Sequence, residues 1–370
     1  MTRMKSKWLV LFIVFGLILT ACGGGSDDAA EEEVVAEEEP AETLDSPATT
    51  AAAAEPEADP PSICLVLDIG GLGDLSFNDL AYSGYQKAIE DFGMVGTFLE
   101  PDGGGENRGE LLELCAEAGN DLIVGNGFLF DGAMNEVAPN YPDLNFAITD
   151  GVAEPSNVRG MLFKHAEGSY LAGIAAALKT KTNNVGFIGG VDFPLIHEFE
   201  QGFLAGVAEI NPDIVVQIGY ASVPPDFSGF NDPVKGKEIA LAQYEAGADI
   251  IYHAAGGTGA GLFEAAKEVS ESTGSQVWAI GVDADQYQTV SDELKPYILT
   301  SMLKRVDNAV YLTIKAIVDG TFAGGVTVFD LSVDGVGYST SGGYVDDIVD
   351  QLEDYKARIV SGEIVVPDTP

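Results

Sequence analysis

Apolar runs that alternate with helical patterns occupy most of the chain after residue 60, and this alternation limits the folds that the chain can adopt. Strands that alternate with helices are typical of parallel sheets covered by helices on both faces, so the sequence predicts an α/β fold. The predicted strands are 63–69, 95–99, 122–125, 146–149, 158–163, 185–189, 214–219, 250–253, 277–282 and 298–302, and the clearest helical stretches are 168–180, 198–209, 234–246 and 260–273.

The alternation runs twice, over 63–163 and 185–282, which predicts two doubly wound lobes of ordinary domain size. The sequence from 298 onward is too short for a third domain, so we expect it to return and complete the first lobe. Each lobe would then be built from a parallel sheet with its own covering helices.

The first lobe is predicted at 61–163 plus about 298–335, and the second at 164–297 with part of the C-terminal tail. Such a chain passes between the lobes several times, which predicts a multi-crossing hinge and a cleft that closes around a ligand. The predicted crossings lie near Phe163, Val282 and Phe329.

The N-terminus has the features of an export signal. Basic residues lie within the first seven positions, an apolar stretch too short to span a bilayer follows at 8–20, and the tetrapeptide Leu-Thr-Ala-Cys ends at Cys22. This tetrapeptide resembles the lipobox of bacterial lipoproteins. The resemblance implies that 1–22 holds a lipoprotein signal peptide with cleavage before Cys22, whose thiol then carries the lipid anchor. The alternative is an ordinary signal peptide with an incidental cysteine.

Acidic residues dominate the charge of the chain. Residues 23–60 contain 13 of them and no Lys or Arg, which predicts a disordered, self-repelling linker. The formal net charge of the whole chain is -41 at pH 7, so a phosphate backbone would be repelled and nucleic-acid binding is not expected. The acidity of the remaining chain is typical of a solubility adaptation, for example to a salty habitat.

Motifs for catalysis or metal binding are lacking in the sequence. The three histidines lie far apart, and no Cys-x-x-Cys, phosphate-binding loop or Gly-x-Ser-x-Gly motif occurs. No cofactor, metal or enzymatic activity is therefore predicted. An exported chain with two further cysteines either joins Cys64 to Cys115 in a disulfide or keeps two buried thiols, and the sequence leaves both open.

The loop 70–82 follows the first predicted strand and precedes a helix. In an open α/β sheet, such loops lie at the carboxyl ends of the strands, where ligands bind. Asp74, Ser76, Asn78 and Tyr82 offer polar and aromatic groups there. Similar loops at 125–131, 255–259, 281–286 and 300–304 combine glycines with single polar or aromatic residues. Aromatic faces with a few hydrogen-bonding groups suit a flat polar ring that carries a hydroxylated substituent.

Six ordered motifs resemble the basic membrane lipoprotein (BMP, PnrA-like) family, and the likeness covers 63–367. The motifs are Asp74-Leu-Ser-Phe-Asn78, the Gly127-Phe128 loop that ends near Tyr141-Pro142-Asp143, Glu167-Gly-Ser-Tyr-Leu-Ala-Gly173, Asp232-Pro-Val-Lys-Gly-Lys-Glu238, Ala255-Gly-Gly-Thr-Gly259 and Gly281-Val-Asp-Ala-Asp-Gln286. The family comprises substrate-binding lipoproteins of ABC transporters, several of which take up purine nucleosides. The resemblance implies a type I periplasmic-binding-protein fold with two doubly wound parallel-sheet lobes.

The resemblance also implies roles for individual residues. Asp74 and Asn78 would hydrogen-bond the base of a nucleoside, with Ser76 beside them in the same loop. A ring at Tyr82 would stack on the base. The remaining implied contacts are Phe128 or Phe230 on the opposite face of the base, the backbone of Gly256 and Gly257 near the sugar, Asp283 as acceptor for ribose hydroxyls, and Lys304 at the same sugar edge.

Each of these residues also has a structural alternative. Asp74 and Asn78 are good helix caps, Tyr82 and Phe230 equally suit the core, and the glycines suit a helix N-terminus. Phe77 is expected in the core rather than at the ligand. Asp283 and Lys304 would also satisfy each other as an ion pair, and His165 and His197 are expected to be structural.

These observations predict a monomeric binding protein, anchored through Cys22 on the extracytoplasmic face of the cell membrane. It would capture a nucleoside-like solute by lobe closure and deliver it to an ABC permease and its ATPase. The alternatives are a surface nucleoside hydrolase that uses Asp283 or Asp285 with a divalent ion, and a sensor that is read by a membrane kinase.

Overall fold

The computed structural model describes residues Pro60–Thr369. The predicted signal segment, Cys22 and the linker up to Asp59 lie outside the described residues. The described residues lie in one compact unit, which contains two six-stranded sheets. The helices that cover the two sheets belong to the same unit. The unit therefore contains the hydrophobic cores of both lobes.

The strands alternate with helices as the sequence predicts, and the α/β fold class is confirmed. The strands of the described residues are β1 (Ser62–Val66), β2 (Val95–Leu99), β3 (Leu122–Asn126), β4 (Asn145–Thr149), β5 (Val158–Phe163), β6 (Asn184–Val191), β7 (Val215–Ser222), β8 (Ile250–Ala254), β9 (Trp278–Asp283), β10 (Ile298–Lys304), β11 (Gly325–Phe329) and β12 (Val336–Tyr338). The helices are α1 (Phe77–Phe92), α2 (Arg108–Glu117), α3 (Asp131–Val137), α4 (His165–Lys179), α5 (Pro194–Ile210), α6 (Pro233–Glu245), α7 (Gly259–Thr273), α8 (Gln286–Thr289), α9 (Val306–Val318) and α10 (Val349–Val360).

The two sheets define the two lobes. The first has the strand order β11-β5-β4-β3-β1-β2, and all its neighbouring strands are parallel. The second has the order β12-β10-β9-β8-β6-β7 and is parallel except for β12, which runs antiparallel to β10. In each sheet the order reverses next to its first strand, so loops from the carboxyl ends of neighbouring strands diverge there and leave a crevice.

Helix α1 shows how the local sequence directs the chain from one of these strands. Ala81, Tyr85 and Ala88 are spaced by four and three residues, so they share the face that is buried against the sheet and α9. The helix ends at Phe92 because Gly93 adopts a left-handed conformation, with φ of +63°, and closes the last turn. The N-terminus of α1 therefore points to the carboxyl edge of the first sheet.

The predicted assignment of the whole segment 298–335 to the first lobe is wrong for its first strand. β10 pairs with β9 and β12 inside the second sheet, whereas α9 packs on α1 and β11 pairs with β5 in the first lobe. The crossing predicted near Val282 therefore lies after Lys304. An apolar run predicts that a strand is buried, but it does not predict the sheet to which the strand belongs. Because the connection between β9 and β10 is short, β10 lies beside β9 in the second sheet.

Of the two states that the sequence leaves open for the cysteines, the structure has the disulfide. Cys64 lies in β1 and Cys115 in α2, and their Cα atoms are 5.8 Å apart. Both residues are buried in the core between the first sheet and helices α2 and α3. The bond ties the central strand of the first lobe to one of its covering helices.

Replacing Cys64 and Cys115 together by Ala is expected to lower the free energy of unfolding by up to about 4 kcal/mol. The bond joins residues with a sequence separation of 51, and opening a loop of that size restores chain entropy to the unfolded state. Urea unfolding of the chain from Ala58 onward measures the loss. A reductant should destabilise the wild type to a similar extent and leave the variant unchanged, and a loss below about 1 kcal/mol would contradict the expectation.

Candidate functional site

A cavity lies between the two lobes, at the carboxyl ends of their strands. The first lobe lines it with the loop after β1, the start of α1, and the loops after β3 and β4. The second lobe contributes the start of α5, Phe230 after β7, residues at and just after the end of β8, and the last residues of β9 and β10. Seven of the sequence-predicted residues line this cavity, namely Asp74, Asn78, Phe128, Phe230, Gly256, Asp283 and Lys304.

Asp74 caps the N-terminus of α1. One carboxylate oxygen accepts hydrogen bonds from the backbone N–H of Ser76 (2.9 Å) and Asp79 (3.2 Å), and the other accepts from the backbone and side-chain N–H groups of Asn78 (2.8 and 3.1 Å). Burial raises the pKa of Asp74 to about 6, although these hydrogen bonds oppose the rise. Because the protein already occupies both oxygens, Asp74 shapes the loop around the cavity.

Asn78 is fully satisfied by the protein. Its side-chain oxygen accepts from the backbone N–H of Asp68 (3.0 Å) and the side chain of Asn126 (3.2 Å), and its side-chain nitrogen donates to the backbone oxygen of Ile69 (3.2 Å) and to Asp74. An amide has two donors and two acceptor sites, and all four are engaged. The expectation that Asn78 binds the base therefore does not fit this arrangement, in which it holds the loop after β1 against the end of β3.

The ring of Tyr82 lies outside the cavity, which corrects the prediction that it stacks on a base. Its centroid is 4.8 Å from that of Phe98 and 5.8 Å from that of Tyr85, so it packs between α1 and β2. Phe77 lines the cavity instead, against the expectation that it is core. A shift of five residues along a helix turns the side chain by about 140°, so the two rings face opposite ways.

Ser76 and Gly257 do not line the cavity either, but each contacts another residue near it, Ser76 by a hydrogen bond and Gly257 by close packing. The Ser76 hydroxyl is fully buried and donates to a carboxylate oxygen of Asp283 at 2.8 Å, which joins the two lobes. Gly257 packs closely, since a Cβ there would lie 2.9 Å from the side-chain oxygen of Asn231. Gly256 lines the cavity itself and has a φ of +54°, a conformation that favours glycine.

Lys304 is buried and forms an ion pair with Asp150, a residue that follows β4 and that the sequence reasoning missed. The expected pairing of Lys304 with Asp283 is absent among the described residues; Asp283 bonds to Ser76 instead. Burial would raise the pKa of Asp150, but Lys304 and His165 outweigh it and hold the pKa below its usual range. Lys304 also lies over the ring of Phe77, with 4.7 Å from its nitrogen to the centroid.

Two carboxylate oxygens face the cavity without a hydrogen-bond partner among the described residues. Asp68 uses one oxygen for Arg108 and for the backbone N–H of Ile69, and Asp283 uses one for Ser76. Their other oxygens are free, one on each lobe. Burial raises the pKa of both carboxyl groups, against the effects of Arg108 on Asp68 and of Lys304 on Asp283. A ligand that donates hydrogen bonds at both ends would offset this desolvation.

The signal that singled out Asp283 in the sequence also applies to the two acidic residues that were missed. Asp68, Asp150 and Asp283 each stand at or just beyond the end of a buried strand. Gly127 has a further part in the site, because a Cβ there would lie 2.5 Å from the free oxygen of Asp68. The sequence carried this information, but the abundance of acidic residues concealed it.

His165 connects Asp150, the partner of Lys304 in the first lobe, with Glu198 of α5 in the second lobe. Its two ring nitrogens lie 3.1 Å from a carboxylate oxygen of Asp150 and 2.8 Å from one of Glu198. Burial and the charge of Lys304 lower the pKa of His165, but the bonds to the two carboxylates outweigh them and the pKa is held above its usual value. The structural role expected for His165 is that of a link between β4 and α5.

We expect the stability of the protein to fall as pH rises through the raised pKa of His165. A histidine whose folded pKa is raised contributes stability that is complete below its unfolded pKa of about 6.5 and is lost above the folded value. Thermal unfolding between pH 7 and 9 should show a steeper fall for the wild type than for His165→Gln.

The matched control is His253→Gln. Burial lowers the pKa of His253 to about 4, so its contribution rises up to about pH 7 and is constant beyond it. This variant should keep the slope of the wild type between pH 7 and 9. Equal slopes for His165→Gln and the wild type would contradict the role of His165.

Comparisons with known proteins agree with this geometry. A family model described as "ABC transporter substrate-binding protein PnrA-like" matches residues 62–370. The chain is 38% identical over 327 residues to the "CD4+ T-cell-stimulating antigen" of Listeria monocytogenes, which covers 84% of this chain and 88% of that protein. It is 35% identical over 316 residues to the "ABC transporter nucleoside-binding protein BmpA" of Lactococcus lactis, covering 82% and 88% of the two chains.

The crystal structure of an ABC transporter solute-binding protein from Aeropyrum pernix is similar, with a TM-score of 0.73 and 32% identity over 83% of this chain and 94% of that one. Two lobes around an inter-lobe cavity define the class of solute-binding proteins with a type I periplasmic-binding-protein fold, as predicted. Within that class, the chain belongs to the PnrA-like (BMP) family of ABC transporter substrate-binding proteins.

Two further observations concern the alternatives. In the part of the chain from Pro60 to Thr369, no three His, Cys, Asp or Glu side chains are grouped so that they could hold a metal ion. The same part contains no helix with the length and apolar character needed to cross a bilayer.

Proposed function

We propose that this protein is an extracytoplasmic receptor that binds a purine nucleoside in the inter-lobe cavity and delivers it to an ABC permease and its ATPase. The observation that carries the proposal is the pair of free carboxylate oxygens of Asp68 and Asp283, which face one cavity from opposite lobes. A nucleoside has N–H donors on its base and hydroxyl donors on its ribose, so it satisfies both ends. The nucleoside-binding relative from Lactococcus lactis supports the same ligand class.

The aromatic lining supports a flat ring between the two acidic ends. Phe77 and Phe128 from the first lobe and Phe230 from the second line the cavity. Rings of this kind stack on a base and add affinity beyond the area that they bury. In this proposal Asp68 accepts from the base, Asp283 accepts from the ribose hydroxyls, and the backbone at Gly256 lies beside the sugar.

The charge of the lining favours a neutral ligand. Among the described residues, four carboxylates line the cavity, and Lys304, the single cationic side chain in that lining, is already paired with Asp150. In this proposal Lys304, which lies beside Phe77, is at the sugar edge of the ligand. A phosphate group would meet repulsion from the carboxylate oxygens of Asp68 and Asp283 that face the cavity.

The proposal includes the site of action. Cleavage before Cys22 and lipidation of its thiol would anchor a monomer to the outer face of the cell membrane, and the linker that follows would tether the lobes. The permease would recognise the lobes in the closed state that the ligand stabilises.

A thermal-shift screen of nucleosides, free bases and sugars tests the ligand class on the chain from Ala58 onward. A ligand at 100 times its dissociation constant stabilises the folded state by about 2.7 kcal/mol, so a purine nucleoside should raise the melting temperature by several degrees. Ribose and the free bases should give smaller shifts. A shift with sugars or amino acids and none with nucleosides would overturn the proposal.

A further inference from the structure

Four phenylalanines meet across the cleft, and two of them do not line the cavity. The ring of Phe128 stacks on that of Phe193 with centroids 4.8 Å apart and an angle of 21° between the ring planes. Phe227 and Phe230 present their edges to Phe128 at 6.1 and 6.3 Å, and Phe193 and Phe227 are 5.9 Å apart. The arrangement is a ring inserted among three others.

The inserted ring and its surroundings belong to different lobes. Phe128 begins the short helix Phe128–Phe130 after β3 in the first lobe. Phe193 directly precedes α5, and Phe227 lies in the loop between β7 and α6, both in the second lobe. The contacts of Phe128 with the other three rings therefore exist only while the lobes are together, whereas Phe193 and Phe227 contact each other within the second lobe.

The cluster also forms one wall of the ligand cavity. Phe128 and Phe230 line the cavity, whereas Phe193 and Phe227 contact Phe128 without lining the cavity themselves. The position of Phe230 is fixed by close packing, because a Cβ at Gly190 would lie 2.5 Å from its ring. Phe128 therefore belongs both to the wall of the cavity and to the ring contacts between the lobes.

We propose that Phe193 and Phe227 form, with Phe128, an aromatic clasp that holds the lobes closed over the ligand and sets the rate of its release. The inference rests on the proposed function for the release step, but the closing of the lobes does not depend on the identity of the ligand. Each aromatic pair shifts the equilibrium constant between the open and the closed lobes toward the closed state by a factor of roughly 2 to 13. Phe193 and Phe227 act here without touching the ligand, as positioning residues.

The test uses Phe193→Ala, Phe227→Ala and their double variant in the chain from Ala58 onward. The first arm measures energy transfer between dyes on the two lobes without ligand, and the double variant should have a smaller closed fraction than the wild type. The second arm follows nucleoside dissociation by stopped flow. Release should become about 10-fold faster in the double variant, while the association rate changes less than about threefold.

The control is Phe322→Ala, since Phe322 is also half-buried but packs on Arg159 at the outside of the first lobe. It should leave both the closed fraction and the release rate at the wild-type values. If no nucleoside binds the wild type, the proposed function fails while the first arm still judges the clasp. A closed fraction in the double variant equal to that of the wild type would overturn the clasp.

Discussion

Replacing Asp283 by Asn is expected to weaken nucleoside binding by about 2 kcal/mol or more, which is roughly 30-fold in the dissociation constant. The free carboxylate oxygen of Asp283 faces the cavity, and a hydrogen bond from a hydroxyl to a buried charge is stronger than one to a neutral amide. Asn is the suitable replacement because residue 283 has a φ of +61°, which Asn tolerates better than Ala. Isothermal titration calorimetry measures the loss.

The neighbouring Asp285→Asn is the matched control. Asp285 lies in the same loop but outside the cavity, where its carboxylate accepts a hydrogen bond from the hydroxyl of Ser341 at 2.5 Å. This variant should bind the nucleoside with the wild-type dissociation constant. An unchanged affinity in Asp283→Asn would remove Asp283 from the site, and an equal loss in both variants would assign the effect to the loop as a whole.

Replacing Lys304 by Met is expected to lower the free energy of unfolding by about 3 to 5 kcal/mol. The substitution keeps the length of the side chain but takes the lysine charge away from Asp150, which keeps only its bond to His165, inside a site where Asp283 is also buried. Removing one member of a buried ion pair costs more than the pair contributes, because the remaining charge stays desolvated. Chemical unfolding of the chain from Ala58 onward measures the cost.

A second substitution tests the cause of that loss. Asp150→Asn in the Lys304→Met background removes the carboxylate charge that has lost its lysine, and Asn again suits a residue with a φ of +59°. The double variant should therefore be more stable than Lys304→Met alone, and a double-mutant cycle should give a coupling energy of about 1 kcal/mol or more. Purely additive losses would show that the ion pair does not account for the burial of Lys304.

The fold was largely predictable because the spacing of apolar residues along the sequence indicates which faces of each strand and helix are buried. The runs that became β1, β6 and β9 are buried on both faces, as strands in the middle of a parallel sheet must be. The location of β10 was not predictable in this way, since the apolar pattern of 298–302 is the same in either sheet. The choice between the sheets depends on its pairing with β9, which is a tertiary contact.

The site was predictable in outline, and the errors came from side-chain geometry. The sequence indicated that the loop after β1 belongs to the site. Only the structure shows that all donors and acceptors of the Asn78 side chain are bonded to other groups of the protein. It also shows that Phe77 rather than Tyr82 faces the cavity, because five residues separate opposite faces of α1. Asp68 and Asp150 were missed because acidic residues are so abundant in the chain that a position after a buried strand did not single these two out.

The loop 70–82 is therefore best understood as the frame of the site rather than as its list of ligand contacts. Asp74 and Asn78 fix its backbone, and Ser76 carries a hydrogen bond across to Asp283. The residues left to meet a ligand are the rings of the lining and the two free carboxylate oxygens. This division between frame and contact residues explains why substitutions in the loop should affect closure as well as affinity.

The most direct test of the central claim is one calorimetric comparison, in which guanosine, its free base and ribose are titrated into the chain from Ala58 onward. If Asp68 and Asp283 bind the two ends of one ligand, the nucleoside should bind with a dissociation constant of about 1 μM or tighter. The base and the ribose should each bind at least about 100-fold more weakly. Binding of ribose alone as tightly as guanosine, or no binding of guanosine, would contradict the account.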